Sequence, residues 1–170
     1  MKRTLLLIVA AMFFACNSNS RNKPPDNSAR INFIRAQFAL INKNIKSYKK
    51  VDKEDTAETT EGNEVDLYYS RDTIKKISAE YFGETGKSLE EYYFYNNKLI
   101  FYYSLATHYK LPFYLTKNPL IASKNEERYY FNNGAIVKYI YSQGKKIPAN
   151  EANKTGIETL KEANRLMHLQ

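Results

Sequence analysis

The sequence predicts an α+β fold: an N-terminal helix packed on a meandering antiparallel β-sheet of five to seven strands, with a short C-terminal helix at an edge. Three observations carry this expectation. An apolar stripe at spacings of three and four runs from Ile31 to Tyr48. From Val65 to Tyr141 the pattern changes to short alternating runs, rich in aromatic and β-branched residues and separated by Asn, Asp and Gly turns. After Pro148 a weaker helical stripe returns. Period 3.6 marks a helix laid on a core, and period 2 marks a half-buried strand.

Each element has its own justification. Ile31, Ile34, Phe38, Ile41, Ile45 and Tyr48 share one face of a helix expected from about Ala29 to Lys49. Ser28 is placed to cap it, and Arg30, Arg35, Asn42, Lys43 and Lys46 occupy its other faces. Residues 50–64 are almost wholly polar and read as a loop. Val65, Leu67 and Tyr69 alternate with polar neighbours up to an Arg71-Asp72 turn, and Ile77, Ala79 and Tyr81 continue beyond it. Gly83 to Gly86 forms the next turn. Leu89–Tyr95 and Leu99–Thr107 flank Asn96-Asn97-Lys98, and Glu127–Phe131 and Ala135–Tyr141 flank Asn132-Asn133-Gly134. Asn and Gly tolerate the left-handed backbone that two-residue hairpins require. The connection from His108 to Asn125, with Pro112 and Pro119, is expected to pack on the core edge. Residues 151–169 complete the pattern as a helix striped by Ile157, Leu160, Leu166 and Met167, weakened by Gly156.

Two hairpins resemble one another. Glu90-Glu91-Tyr92-Tyr93-Phe94-Tyr95-Asn96-Asn97 runs parallel to Glu126-Glu127-Arg128-Tyr129-Tyr130-Phe131-Asn132-Asn133, at an offset of 36 residues. The pattern is similar to the aromatic hairpin repeats of bacterial surface proteins. Two copies fall short of a solenoid, which needs about three.

The N-terminus carries a different message. Lys2 and Arg3 precede an apolar run from Leu5 to Ala15, too short for the roughly 20 residues that span a bilayer. Cys16, the chain's one cysteine, follows Ala15, and polar Asn17-Ser18-Asn19-Ser20 comes next. This resembles the lipobox of bacterial lipoproteins. The family prefers Leu where Phe13 stands and a small residue where Phe14 stands, so Ala15 and Cys16 carry the match. The resemblance implies cleavage before Cys16, a diacylglyceryl group on its thiol and an acyl chain (palmitate) on its amine. It also implies location in the cell envelope, and Asn17 in place of Asp favours the outer membrane. The expected organisation is a signal peptide over 1–15, a lipidated Cys and flexible tether over 16–28, and one α+β domain over 29–170. Loss of residues 1–15 lowers the formal charge of +8 by two, leaving a basic surface that suits anionic headgroups or acidic glycans. An exported chain does not take nucleic acid as its partner.

Chemistry is sparse. His108 has no Ser, Cys or Asp neighbour to build a triad, and His168 is next to the terminus but one. No His, Cys or carboxylate spacing suits a metal, and six scattered glycines form no phosphate loop. No cofactor and no catalytic residue is therefore expected. Glu90-Glu91 and Glu126-Glu127 point to opposite faces within each pair, although one member of each could share a face as glycoside hydrolysis requires. The abundant material is aromatic: 15 Tyr and 9 Phe with no Trp. Tyr92, Tyr93, Tyr95, Tyr102, Tyr103, Tyr129, Tyr130, Tyr139 and Tyr141 are the candidate binding surface, since tyrosine packs its ring while its hydroxyl stays wet. The function expected is a lipid-anchored, non-catalytic binding or scaffolding protein whose partner is an envelope protein or glycan. The alternatives are an envelope hydrolase of glycans or peptides and an inhibitor or immunity-type protein.

Overall fold

A seven-stranded antiparallel sheet in sequential order, β1 to β7, forms the middle layer of the structure, a computed structural model that describes residues 26–55, 61–116, 118–142, 144 and 148–169. Cys16, the expected signal peptide before it and the expected tether as far as Pro25 lie outside the described residues. The strands are β1 (Lys49–Lys53), β2 (Asn63–Ser70), β3 (Thr73–Gly83), β4 (Gly86–Tyr95), β5 (Lys98–Tyr109), β6 (Ile121–Asn132) and β7 (Ala135–Tyr141). Helix α1 (Ser28–Lys43) lies on one face and α2 (Ala149–Met167) on the other.

Strand alternation builds both cores. Tyr93, Phe101 and Tyr130 point to α1 and meet Ile34 and Ile41. Tyr92, Phe94, Tyr102, Tyr129 and Phe131 point the other way and meet Ala163 and Leu166 of α2. The C-terminal helix therefore covers a sheet face and is not confined to an edge. Gly156 is the reason it can sit so close. A Cβ built there would stand 2.7 Å from Ile136 Cδ1, so a methyl group fits where the helix crosses β7 only if the end of that side chain shifts.

Helix α1 is shorter than its stripe. It ends at Lys43, a 3-10 turn (Ile45–Ser47) follows, and Tyr48 still packs against the α1-side core. Ser28 is the first helical residue and not its cap; its amide donates to Asp26 Oδ1 at 3.0 Å. Residues 50–53, expected as loop, belong with Lys49 to an edge strand. Val51 packs inward, while Lys50 reaches Asp52 at 2.8 Å and Asp66 at 2.9 Å. Charges on an edge strand also discourage pairing with another chain.

The hairpins β2–β3, β4–β5 and β6–β7 repeat one design. Each closes with two central residues: Arg71-Asp72, Asn96-Asn97 and Asn133-Gly134. Arg71, Asn96, Asn97, Asn133 and Gly134 all have φ between 49° and 81°, the left-handed region that Asn and Gly enter at least cost. In each, the returning strand carries one unpaired extra residue at the same place: Lys75, Ile100 and Val137. The equivalent positions of the last two hairpins are 37 residues apart, not 36. Matching letters sets Asn96-Asn97 on Asn132-Asn133, whereas the turn geometry sets it on Asn133-Gly134. β2–β3, with no such aromatic run, is the third copy.

Candidate functional site

The pleat divides the nine candidate tyrosines between two faces. Tyr92, Tyr102, Tyr129, Tyr139 and Tyr141 belong to the α2 side. Tyr93, Tyr103 and Tyr130 belong to the α1 side, and Tyr95 meets Phe33 of α1 edge-on, with ring centroids 5.0 Å apart. Tyr92, Tyr93 and Tyr129 are fully buried. The nine therefore do not form one exposed surface, because each strand sends neighbours to opposite sides.

On the α2 side the tyrosines serve two carboxylates. Glu90, Ser104 and Glu127 stand in register across β4, β5 and β6, so the two glutamates share a face. Tyr92 donates its hydroxyl to Glu90, and Tyr129 donates to Glu127 at 2.9 Å. A phenol has one proton, so Tyr141 must be the donor in its hydrogen bond to Tyr129. Burial first, then Glu90, pushes the Tyr92 and Tyr102 hydroxyls far above the ordinary tyrosine range. These phenols are protons held in place for neighbouring acceptors. The layer is a hydrogen-bonded part of the core.

On the α1 side the sheet is partly open. A cleft of about 300 Å³ lies between Ile34, Arg35 and Phe38 of α1 and the strand residues Glu91, Phe101, Tyr103, Arg128 and Tyr130. Its floor is aromatic: Phe101 and Tyr130 centroids are 4.9 Å apart, and Phe38 stands edge-on to Phe101 at 5.4 Å. Phe38 is about one third exposed, unusual for a residue on the stripe of a packed helix. Glu91 contributes little free charge. Lys76 Nζ lies 2.5 Å from its Oε1, and the Tyr93 hydroxyl donates to its Oε2 at 2.8 Å. Lys76 is itself buried and sits 5.0 Å from the Tyr93 ring centre. Arg128 pairs with Glu126 and spreads its guanidinium over Tyr103 at 6.0 Å. Arg35 is exposed at the mouth and makes no ion pair among the described residues.

Two of the nine tyrosines, Tyr103 and Tyr130, thus border the cleft. Arg35, Phe38, Phe101 and Arg128 complete it without having been singled out as a site. The available signal was an arginine interrupting the aromatic run of β6, level with the carboxylate of β4. His108 is exposed on β5 opposite Gly86 and Ser123, and His168 follows α2 with Nδ1 2.7 Å from the Asn164 carbonyl. Neither approaches the cleft lining. Among the described residues no group of three His, Cys, Asp or Glu is placed to hold a metal ion.

Comparison with known proteins finds no matching family model, no matching curated protein and no matching solved structure. The site is therefore read from its own chemistry. A wall of rings beside an uncompensated guanidinium suits a ligand with an apolar body and an anionic group.

Proposed function

We propose that this chain is a lipid-anchored cell-envelope protein, held at the outer membrane through Cys16, with a non-catalytic binding role exercised by the cleft beside α1. The observation that carries the binding role is the pairing of an open aromatic floor with Arg35, whose charge has no carboxylate partner among the described residues. The anchor rests on the lipobox-like run ending at Cys16. The ligand class is an amphipathic carboxylate, its chain or ring against Phe38, Phe101 and Tyr130 and its acid on Arg35.

The chain has no tryptophan, so Tyr103→Trp places a single reporter at the cleft. Titration with medium-chain fatty acids and N-acyl amino acids is expected to give a saturable emission change that Arg35→Gln and Phe38→Ala weaken. A flat response to every acid tried removes the binding reading. For the anchor, cells fed a clickable palmitate analogue are expected to label the wild type in the membrane fraction and not Cys16→Ala. Equal membrane retention of the unlabelled variant removes the anchor.

A further inference from the structure

The connection between β5 and β6 presents an apolar tip. Leu111, Phe113, Tyr114, Leu115, Leu120 and Ile121 are 45–69% exposed, although such a connection was expected to pack on the core edge. The tip is held out and does not fold back. Tyr109 N donates to the Thr85 carbonyl at 2.8 Å, Lys110 N to the Leu120 carbonyl at 2.8 Å and Phe113 N to the Glu84 carbonyl at 3.0 Å. These bonds seat the loop on the β3–β4 turn, and Pro112 and Pro119 stiffen it.

Its charge has one sign. The stretch from Lys110 to Asn125 contains three lysines and no acidic residue. Lys110 and Lys124 are exposed at the base of the tip and make no ion pair among the described residues. Two acidic groups lie beside the tip: Glu84, which receives the Tyr114 hydroxyl at 2.5 Å, and Glu61, which lines the hollow it shares with Phe113 and Thr116. Exposed aliphatic and aromatic side chains above a basic collar match the layers of an anionic bilayer: acyl chains, an interface that favours tyrosine, then anionic headgroups.

We propose that the tip formed by Leu111, Phe113, Tyr114, Leu115, Leu120 and Ile121 inserts into the surface of an anionic lipid bilayer. This does not depend on the cleft or on Cys16, but it is compatible with the anchor. The chain enters α1 beside Phe131, whose carbonyl accepts from Arg30 at 3.1 Å, at the sheet end opposite the tip. The 12 residues of β5 span about 40 Å. The 12 residues from Asn17 to Ser28 reach about the same length when extended, so anchor and tip can meet one bilayer with the sheet lying along it.

Cys16 is the sole cysteine, which permits a site-resolved test on the full chain. In a Cys16→Ser background, Leu115→Cys and, at the opposite end, Asp72→Cys are labelled with an environment-sensitive nitrobenzoxadiazole dye. Vesicles of phosphatidylcholine with 30% phosphatidylglycerol are added. The expected result is a blue shift of the Leu115 probe, quenched by spin-labelled acyl chains, with no shift at Asp72. Residues 1–15 can bring the whole protein to the vesicle but cannot by themselves bury a probe at Leu115. Lys110→Gln and Lys124→Gln are each expected to raise the lipid needed for half the shift about fivefold. No shift at Leu115 overturns the proposal. So does a shift that appears on raising protein concentration without lipid, which assigns the tip to a second copy.

Discussion

Arg165 grips Asp55 with both arms of its guanidinium, Nη1 to Oδ1 at 2.8 Å and Nη2 to Oδ2 at 2.5 Å, joining α2 to the chain just beyond β1. Asp55 is almost completely buried, and Glu162 holds the arginine from the other side, its Oε2 2.9 Å from Nε. Hydrogen bonds to Asp55 first, then to Glu162, keep Arg165 charged at any accessible pH. Truncation at Arg165 takes the bidentate guanidinium away from a buried carboxylate. Arg165→Gln is expected to cost about 3 kcal/mol in urea unfolding, with Asp55→Asn restoring part of it in the double variant. Equal midpoints for Arg165→Gln and wild type contradict this.

The Lys76–Glu91 pair under α1 behaves likewise. Lys76→Met leaves Glu91 with the Tyr93 hydroxyl alone and is expected to cost about 3 kcal/mol. Lys76→Met with Glu91→Leu removes both charges and is expected to lie near wild type. Thermal melts of the two variants decide it. If the double variant melts lower than Lys76→Met, the pair contributes more than the desolvation it costs.

Two glycines respond in opposite ways to a methyl group. At Gly86 a Cβ would lie 2.5 Å from the Thr107 carbonyl oxygen, which is backbone of the neighbouring strand and cannot yield. Gly86→Ala is expected to destabilise by about 2 kcal/mol or more. At Gly156 the nearest atom is the end of the Ile136 side chain, and alanine gains about 1 kcal/mol of helix propensity. Gly156→Ala is expected within about 1 kcal/mol of wild type. Denaturant midpoints that rank the two in the reverse order would refute the packing argument.

The β4–β5 turn tests the left-handed geometry. Asn97 has φ of 59°. Asn97→Gly is expected to stabilise by a few tenths of a kcal/mol, and Asn97→Val to cost about 1–2 kcal/mol through its crowded Cβ. Equal stability of the glycine and valine variants contradicts the assigned turn.

High pH attacks the tyrosines. Burial raises the hydroxyls of Tyr92, Tyr93, Tyr102 and Tyr129 above their ordinary value, Glu90 and Glu91 reinforcing it for three of them and Glu127 for Tyr129. The folded state binds these protons more tightly than the unfolded chain. Their contribution is thus complete below about pH 10 and falls as pH rises further, by about 1.4 kcal/mol per pH unit for each such tyrosine. Absorbance at 295 nm is expected to show the buried tyrosines ionising in one step with loss of circular dichroism. Gradual ionisation of all fifteen with the fold intact would place them in solvent.

Much of this fold was legible because turns and alternation are local. Asn96-Asn97 and Asn133-Gly134, with aromatic strands on either side, marked their hairpins plainly. β1 was not legible: Lys49, Lys50, Asp52 and Lys53 look like loop, and pairing with β2 is what makes them strand. Gly156 read as a weakness in α2 when considered alone, since the Ile136 side chain it accommodates is 20 residues away. The candidate site was half legible. Tyr103 and Tyr130 were marked by composition, but Arg35 and Phe38 come from α1, and no local pattern reveals which strand a helix will cross. Alternation also meant that a cluster of tyrosines in sequence became two clusters in space.

The sequential strand order has a kinetic consequence. Every ladder in the sheet joins strands adjacent in sequence, and four of the six close through two-residue turns. Short closures cost little chain entropy before contacts form, so each hairpin with its own turn and extra residue is a self-sufficient place to start. Contact order is correspondingly low for a sheet protein, which favours rapid folding. Helix α2 packs first on β7, just before it in the chain, whereas α1 meets β4, β5 and β6 far along the chain and docks on strands already paired.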